Sequence, residues 1–260
     1  MRIVRGRGVD FNGSQLPSSD DAGARCDPGT RSGSTDHGVC SAPPRSTRDR
    51  TRATLDRVAE TREPMLRIWR PVRQVTFGRR DARSDGFETA KRLAHQKGFP
   101  PVERRVGGRA VAHTGGTVAF ALAVPTTGIR TDITDRYDRV VQLLTTTFRD
   151  LGAAVKRGEP PNAYCPGSHS IRVVDGGKVA GIAQRVRRDA ALVSGCLTVC
   201  RRDVAATVDV LDPVYDALGV AFDPGAVGCL ADAGGPSSPG RAAAAIEAAL
   251  STEPWHDSDQ

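Results

Sequence analysis

The sequence predicts an α+β fold, a largely antiparallel mixed sheet flanked by helices. Three observations lead there. Strand-like and helix-like segments come in runs and do not alternate strictly. "SIRVV" and "KVAGIAQRV" are two β-rich runs joined by Asp175-Gly176-Gly177, which spells a β-hairpin. "TDITDRYDRVVQLLTTTFRDLG" places Ile133, Tyr137, Val140, Val141, Leu144, Phe148 and Leu151 at three- and four-residue steps, an apolar stripe that a sheet must cover.

Taken in order, residues 1–48 are rich in Gly, Ser, Asp and Arg and hold few large apolar side chains, so they are expected to form a disordered tail. Residues 49–260 are expected to form one domain. "TRATLDRVAETREP" reads as a helix with Leu55 and Val58 on one face and Pro64 as its stop. "LRIWR" and "QVTFGRR" alternate as strands, and "DGFETAKRLAHQKG" is an amphipathic helix ending before Gly98. "VERRV" and "AVAH" flank a Gly107-Gly108 break. "VAFALAVP" reads as a buried strand, with Val118, Phe120, Leu122 and Val124 on one face and alanines on the other, which lets a neighbour pack closely. After the stripe helix and the hairpin, "ALVSGCLTVC" extends as a strand that would put Cys196 and Cys200 on one face. "DVAATVDVLDPVYDALG" and "PGRAAAAIEAALS" are helices, the first with a candidate break at Pro213.

The chain has 260 residues, 37 of them Lys or Arg against 30 Asp or Glu, a formal charge of +7. That balance favours an acidic partner. Nucleic acid is disfavoured by the 5% aromatic content and the lack of a base-reading motif. No apolar run reaches the ~18 residues of a membrane helix, and the N-terminus has no apolar signal region, so neither a membrane nor export is expected and a cytoplasmic location is. The six cysteines lack a second Cys or His pair at metal spacing, so no metal is expected and the thiols are read as free. Only four of the basic residues are lysines, and one of them, Lys178, opens a strand beside a tight turn. A lysine gives a compact point charge where an arginine gives a planar fork, so the choice carries a chemical reading.

Two groups of residues carry a resemblance. The first is Arg104, Arg105, Gly107, Gly108, Val111 and His113 in "RRVGGRAVAH", and the second is Gly176, Lys178, Gly181, Ala183, Gln184 and Arg185 in "GGKVAGIAQR". Together with the helix between them they resemble the lipoate/octanoate branch of the biotin/lipoate protein ligase catalytic-domain superfamily, whose fold is class II synthetase-like, over roughly residues 50–225. "YCPG" at 164–167 narrows the resemblance to the octanoyl-GcvH:protein octanoyltransferases, which use that cysteine as nucleophile. Thr114 and Thr117 depart from the Asp and Asn that ligases often carry.

The resemblance implies protein lipoylation: an acyltransferase that moves an octanoyl or lipoyl group to a lysine of a lipoyl domain through a thioester. Cys165 would be the nucleophile and Lys178 would hold the acyl carbonyl oxygen. Arg104, Arg105, Gly107, Gly108, His113, Gly181 and Gln184 would bind substrate. Strand alternation allows only one of Arg104 and Arg105 to point inward, and likewise one of Gln184 and Arg185. The expected partners are acidic lipoyl-domain proteins (GcvH, E2 subunits) or acyl carrier protein, with no cofactor. The alternative is a lipoate-protein ligase needing ATP and Mg, in which Cys165 is idle and Lys178 grips the acyl-adenylate. A non-catalytic basic binding module is the remote third reading. Lys178, opening a strand at a turn, is expected outside the core, so its removal should leave the fold intact.

Overall fold

A computed structural model describes residues 1–5, 44–104, 107–128 and 133–255, without the side chains of 4, 5 and 44–48. The strands are β1 (Arg2–Arg5), β2 (Met65–Trp69), β3 (Gln74–Phe77), β4 (Pro101–Glu103), β5 (Val111–His113), β6 (Val118–Pro125), β7 (Val155–Arg157), β8 (Ser170–Val173), β9 (Lys178–Val186) and β10 (Ala190–Leu197). The helices are α1 (Pro44–Thr61), α2 (Phe87–Gln96), α3 (Ile133–Asp150), α4 (Arg201–Ala217) and α5 (Pro239–Ser251). Seven strands form one sheet in the order β1-β2-β6-β10-β9-β8-β7, antiparallel except for the parallel β1–β2 pair. Three form a second, β4-β3-β5, with β4 parallel to β3.

Period-2 alternation divides the large sheet cleanly. Leu66, Ile68, Val118, Phe120, Leu122, Val124 and Val193 bury one face against α3 and α5. The opposite face carries Met65, Ala121, Ala123 and Leu192, and Leu55 and Val58 of α1 pack on it. The alanines of β6 are thus what lets α1 lie close, as the sequence suggested. The small sheet is closed by α2 and α4, whose Phe87, Ala90, Ala94, Val210, Leu211, Val214 and Tyr215 bury Val75, Phe77 and Ala112.

Four sequence expectations need correction. Part of the stretch 1–48 is ordered: Arg2–Arg5 pairs with β2, and α1 begins at Pro44, while 6–43 lies outside the described residues. Helix α4 runs unbroken through Pro213, because its buried stripe of Val210, Leu211, Val214 and Tyr215 continues on both sides. Strand β10 stops at Leu197, and Cys200 caps α4, so Cys196 and Cys200 do not share a strand face. Lys178 is 1% exposed and belongs to the interior.

The position of Lys178 follows from a local irregularity. Ile171 pairs with Ala180 but Arg172 pairs with Lys178, so Val179 is an extra residue in β9. Strict alternation would send Lys178 to the same face as Ala180 and Gln184. The bulge reverses the phase, and the Lys178 Cε and Nζ lie over Gly181.

No described helix is long and apolar enough to cross a membrane.

Candidate active site

Cys165 sits in the loop between β7 and β8, with φ at +42°, a conformation uncommon for a residue with a Cβ. Such a geometry persists only when its surroundings fix it. Here its N–H donates to Tyr215 Oη at 2.7 Å, and that hydroxyl donates in turn to the Ala110 carbonyl at 2.9 Å. Tyr215 is fully buried on α4, so one rigid side chain ties the Cys165 loop to the loop before β5.

The sulfur is met from that second loop. Arg109 N–H donates to Cys165 Sγ at 3.3 Å and Arg104 Nη2 at 3.5 Å. The same Arg104 Nη2 donates to the Arg109 carbonyl at 2.6 Å, and the Arg109 side chain pairs with the fully buried Asp81 at 3.3 Å. Asp81 also accepts from Gly78 N–H, which anchors the loop to the end of β3. The chain can approach this closely because Gly108, at φ +90°, has no Cβ; one would lie 2.9 Å from both Cys165 Sγ and Arg104 Nη2. Arg104 Nε is buried and has no acceptor among the described residues, so a donor is left over beside the sulfur.

The other cysteines are placed differently. Burial pushes the Cys196 thiol up to about 12, and its Sγ lies 3.5 Å from His113 Nδ1. Cys200 donates to the Ser237 carbonyl, and Cys229, pushed up to about 11 chiefly by burial, donates to Asp232. Among the described cysteines Cys165 is the one whose sulfur accepts from two N–H groups. Two donors on one sulfur fix where it sits, which is what an attacking atom requires.

Lys178 lies under the same loop. Its ammonium donates to the Cys165 carbonyl at 2.8 Å, the Tyr164 carbonyl at 3.1 Å and Glu159 Oε1 at 2.9 Å. An ammonium has three donors, so all are taken. Gly181 leaves the room: a Cβ there would stand 3.2 Å from Lys178 Cε. To hold an acyl oxygen, Lys178 must exchange one of the two carbonyls for it.

The remaining expected residues divide. Arg104, Gly108 and Gly181 join Cys165 and Lys178, whereas Gly107 is exposed and a Cβ on it would meet nothing within 4 Å. Gln184 faces the other side of the sheet, where its amide donates to the Ile133 carbonyl and accepts from Arg136 of α3. His113 contacts Cys196, and burial, then the Arg104 charge, lowers its pKa to about 4, so it is neutral near pH 7. Arg105 lies outside the described residues. Thr114 and Thr117, the two departures, hold the turn after β5: Thr114 Oγ1 donates to Asp203 at 2.7 Å and Thr117 Oγ1 accepts from Thr114 N–H.

Glu159, Arg109, Tyr215 and Asp203 were missed by sequence reasoning. Tyr215 and Asp203 sit in the α4 pattern as ordinary helix residues, and Glu159 sits in a plain loop. Arg109 was legible as part of "GGR" but acts through its main chain. Among the described residues no group of three or more His, Cys, Asp or Glu side chains gathers as a metal site.

An octanoyl-GcvH:protein N-octanoyltransferase from Exiguobacterium sp. is 32% identical over 164 residues, 63% of this chain and 57% of that protein. Its namesake from Oceanobacillus iheyensis is 32% identical over 126 residues, 48% of this chain and 44% of that protein. The chain thus spans about half the length of the curated relatives it matches. A T. acidophilum protein of the lipoate protein ligase type, solved with bound lipoic acid, shares the fold with a TM-score of 0.57 and 21% identity, covering 79% of this chain and 80% of that one. The sequence model of the lipoyl protein ligase A/B catalytic domain matches residues 45–232, a span that takes in both motif loops, α3 and the lysine hairpin. On that match the chain belongs to the lipoyl protein ligase A/B catalytic domain family.

Proposed function

We propose that this chain is an acyltransferase of protein lipoylation, moving an octanoyl or lipoyl group through a thioester on Cys165 to a lysine of a lipoyl domain of the GcvH or E2 type. The observation that carries the reading is the Cys165 sulfur, held by the Arg109 N–H and the Arg104 guanidinium above a buried lysine. The thiolate attacks the carbonyl carbon of the acyl donor. Arg104 Nε–H and Lys178, once it releases a loop carbonyl, are the donors available to the developing oxyanion. The donor's leaving group takes up, by way of water, the proton that the Cys165 thiol released, leaving the thioester, which the acceptor lysine then attacks.

The relatives' names supply the donor for this reading, octanoyl-GcvH; an acyl carrier protein thioester is the other activated donor of the same chemistry. Exchange of one acyl linkage for another needs neither ATP nor Mg. The net charge of +7 suits an acidic acceptor domain. The ligase reading leaves the contacts of Cys165 without a purpose.

The test is transfer from octanoyl-GcvH to an apo lipoyl domain without ATP or Mg. Wild type should transfer, and Cys165→Ser should lose transfer by at least about a hundredfold, since an unactivated hydroxyl is a poor nucleophile near pH 7. Transfer that requires ATP, with Cys165→Ser fully active, would replace this reading with the ligase.

A further inference from the structure

Glu159 holds Lys178 with one carboxylate oxygen only. Oε1 accepts from the ammonium at 2.9 Å, while Oε2 is buried and has no hydrogen-bond partner among the described residues. A counter-ion for Lys178 needs no second, unsatisfied oxygen, and leaving such an acceptor buried costs on the order of 1–3 kcal/mol. Glu159 and the Cys165 carbonyl are bound to the same nitrogen, so the free oxygen lies beside the nucleophile's loop. The side chain as a whole is 20% exposed, so the pocket that holds it is not closed to the outside. The chemistry needs such an acceptor there. The incoming lysine is an ammonium near pH 7, with an ordinary pKa of about 10.4, and cannot attack a thioester until it loses a proton. Lys178, with its three donors engaged, has no acceptor to offer.

We propose that Glu159 is the general base of the second half-reaction: its free Oε2 binds the acceptor lysine's ammonium and takes one proton from it. The neutral amine then attacks the Cys165 thioester carbonyl. The C–N bond forms and the C–S bond breaks. The amine's second proton goes to the departing sulfur, which restores the thiol, and the proton on Glu159 passes to water. This assignment rests on the thioester reading above.

Glu159→Gln is the informative variant, because its amide oxygen can still accept from Lys178 while its NH2 occupies the Oε2 position, where it repels an ammonium. Intact mass after incubation with octanoyl-GcvH reads the first step. Single-turnover transfer from the isolated acyl-enzyme to an apo lipoyl domain reads the second. The variant should transfer at least about a hundredfold more slowly than wild type at pH 7, the usual size of a general-base effect, and should form the adduct from octanoyl-GcvH more slowly by a similar factor, because the donor lysine must regain the same proton as it leaves. The deficit should shrink as the pH approaches the acceptor lysine's own pKa. Hydroxylamine, neutral at pH 7 and in no need of a base, should cleave both acyl-enzymes at the same rate. Normal transfer by Glu159→Gln, or equal slowing of the lysine and hydroxylamine reactions, overturns the role of Glu159 alone. A wild type that forms no adduct overturns the thioester reading and this proposal with it.

Discussion

Replacing Lys178 by alanine should cost stability as well as activity, by an amount the contacts allow one to work out. The substitution removes an ammonium that is 1% exposed and leaves Glu159, the Tyr164 carbonyl and the Cys165 carbonyl without their donor. Breaking a buried ion pair from one side costs about 3–5 kcal/mol. Glu159 keeps 20% exposure, so water recovers part of that and the lower end applies. A loss near 3 kcal/mol corresponds to a melting point lowered by roughly 6–12 °C in a domain of this size. Urea unfolding followed by far-UV circular dichroism reads the change as a shift in midpoint at constant slope. The double variant Lys178→Met with Glu159→Gln should regain much of the stability, because no charge is left uncompensated, yet stay inactive. A Lys178→Ala midpoint equal to wild type would refute the buried-pair account and return the residue to a solvated turn.

Three further outcomes follow from the site. The His113 pKa of about 4 lies below the ordinary 6.5, so between those values the unfolded chain binds a proton that the folded one excludes; stability should be complete above about pH 6.5 and fall by on the order of 2–3 kcal/mol toward pH 4. His113→Gln should flatten that slope in denaturant titrations, and an unchanged slope contradicts the assignment. Gly108→Ala should displace the sulfur that lies 2.9 Å from the new Cβ and strain a +90° φ, which should destabilise by at least about 1 kcal/mol and slow iodoacetamide alkylation of Cys165; wild-type alkylation would show that the contact does not matter. Tyr215→Phe keeps the packing but leaves the Cys165 N–H and the Ala110 carbonyl unpaired, so about 1–3 kcal/mol should be lost together with most of the acylation rate, and full activity would mean that the bridge does not position Cys165.

The hairpin, the stripe helix and the alanine face of β6 were legible because each is written in a local period or a turn dipeptide. What was not legible depends on contacts far apart in the chain. Lys178 reads as a strand-opening turn residue until the two-against-one pairing at Val179 turns it inward, and nothing in "GGKVAG" spells a bulge. The donors to Cys165 come from residues 104 and 109, and its amide partner comes from α4, so "YCPG" points to the cysteine but not to what holds it. Alternation said that Gln184 and Arg185 should face opposite ways. Which of them faces the site depended on where α3 docks, and α3 took Gln184. Composition hid β1, since a strand held by main-chain pairing needs few apolar side chains.

The central claim is that Cys165 carries the acyl group, and intact mass spectrometry tests it most directly. Incubation of the wild-type chain with octanoyl-GcvH alone should add one octanoyl group, removable by hydroxylamine, and peptide mapping should place it on Cys165. Substitution of Cys196, Cys200 or Cys229, whose sulfurs lack the paired N–H donors, should leave the adduct in place. An unmodified wild-type mass, or an adduct that survives Cys165→Ala, would contradict the account.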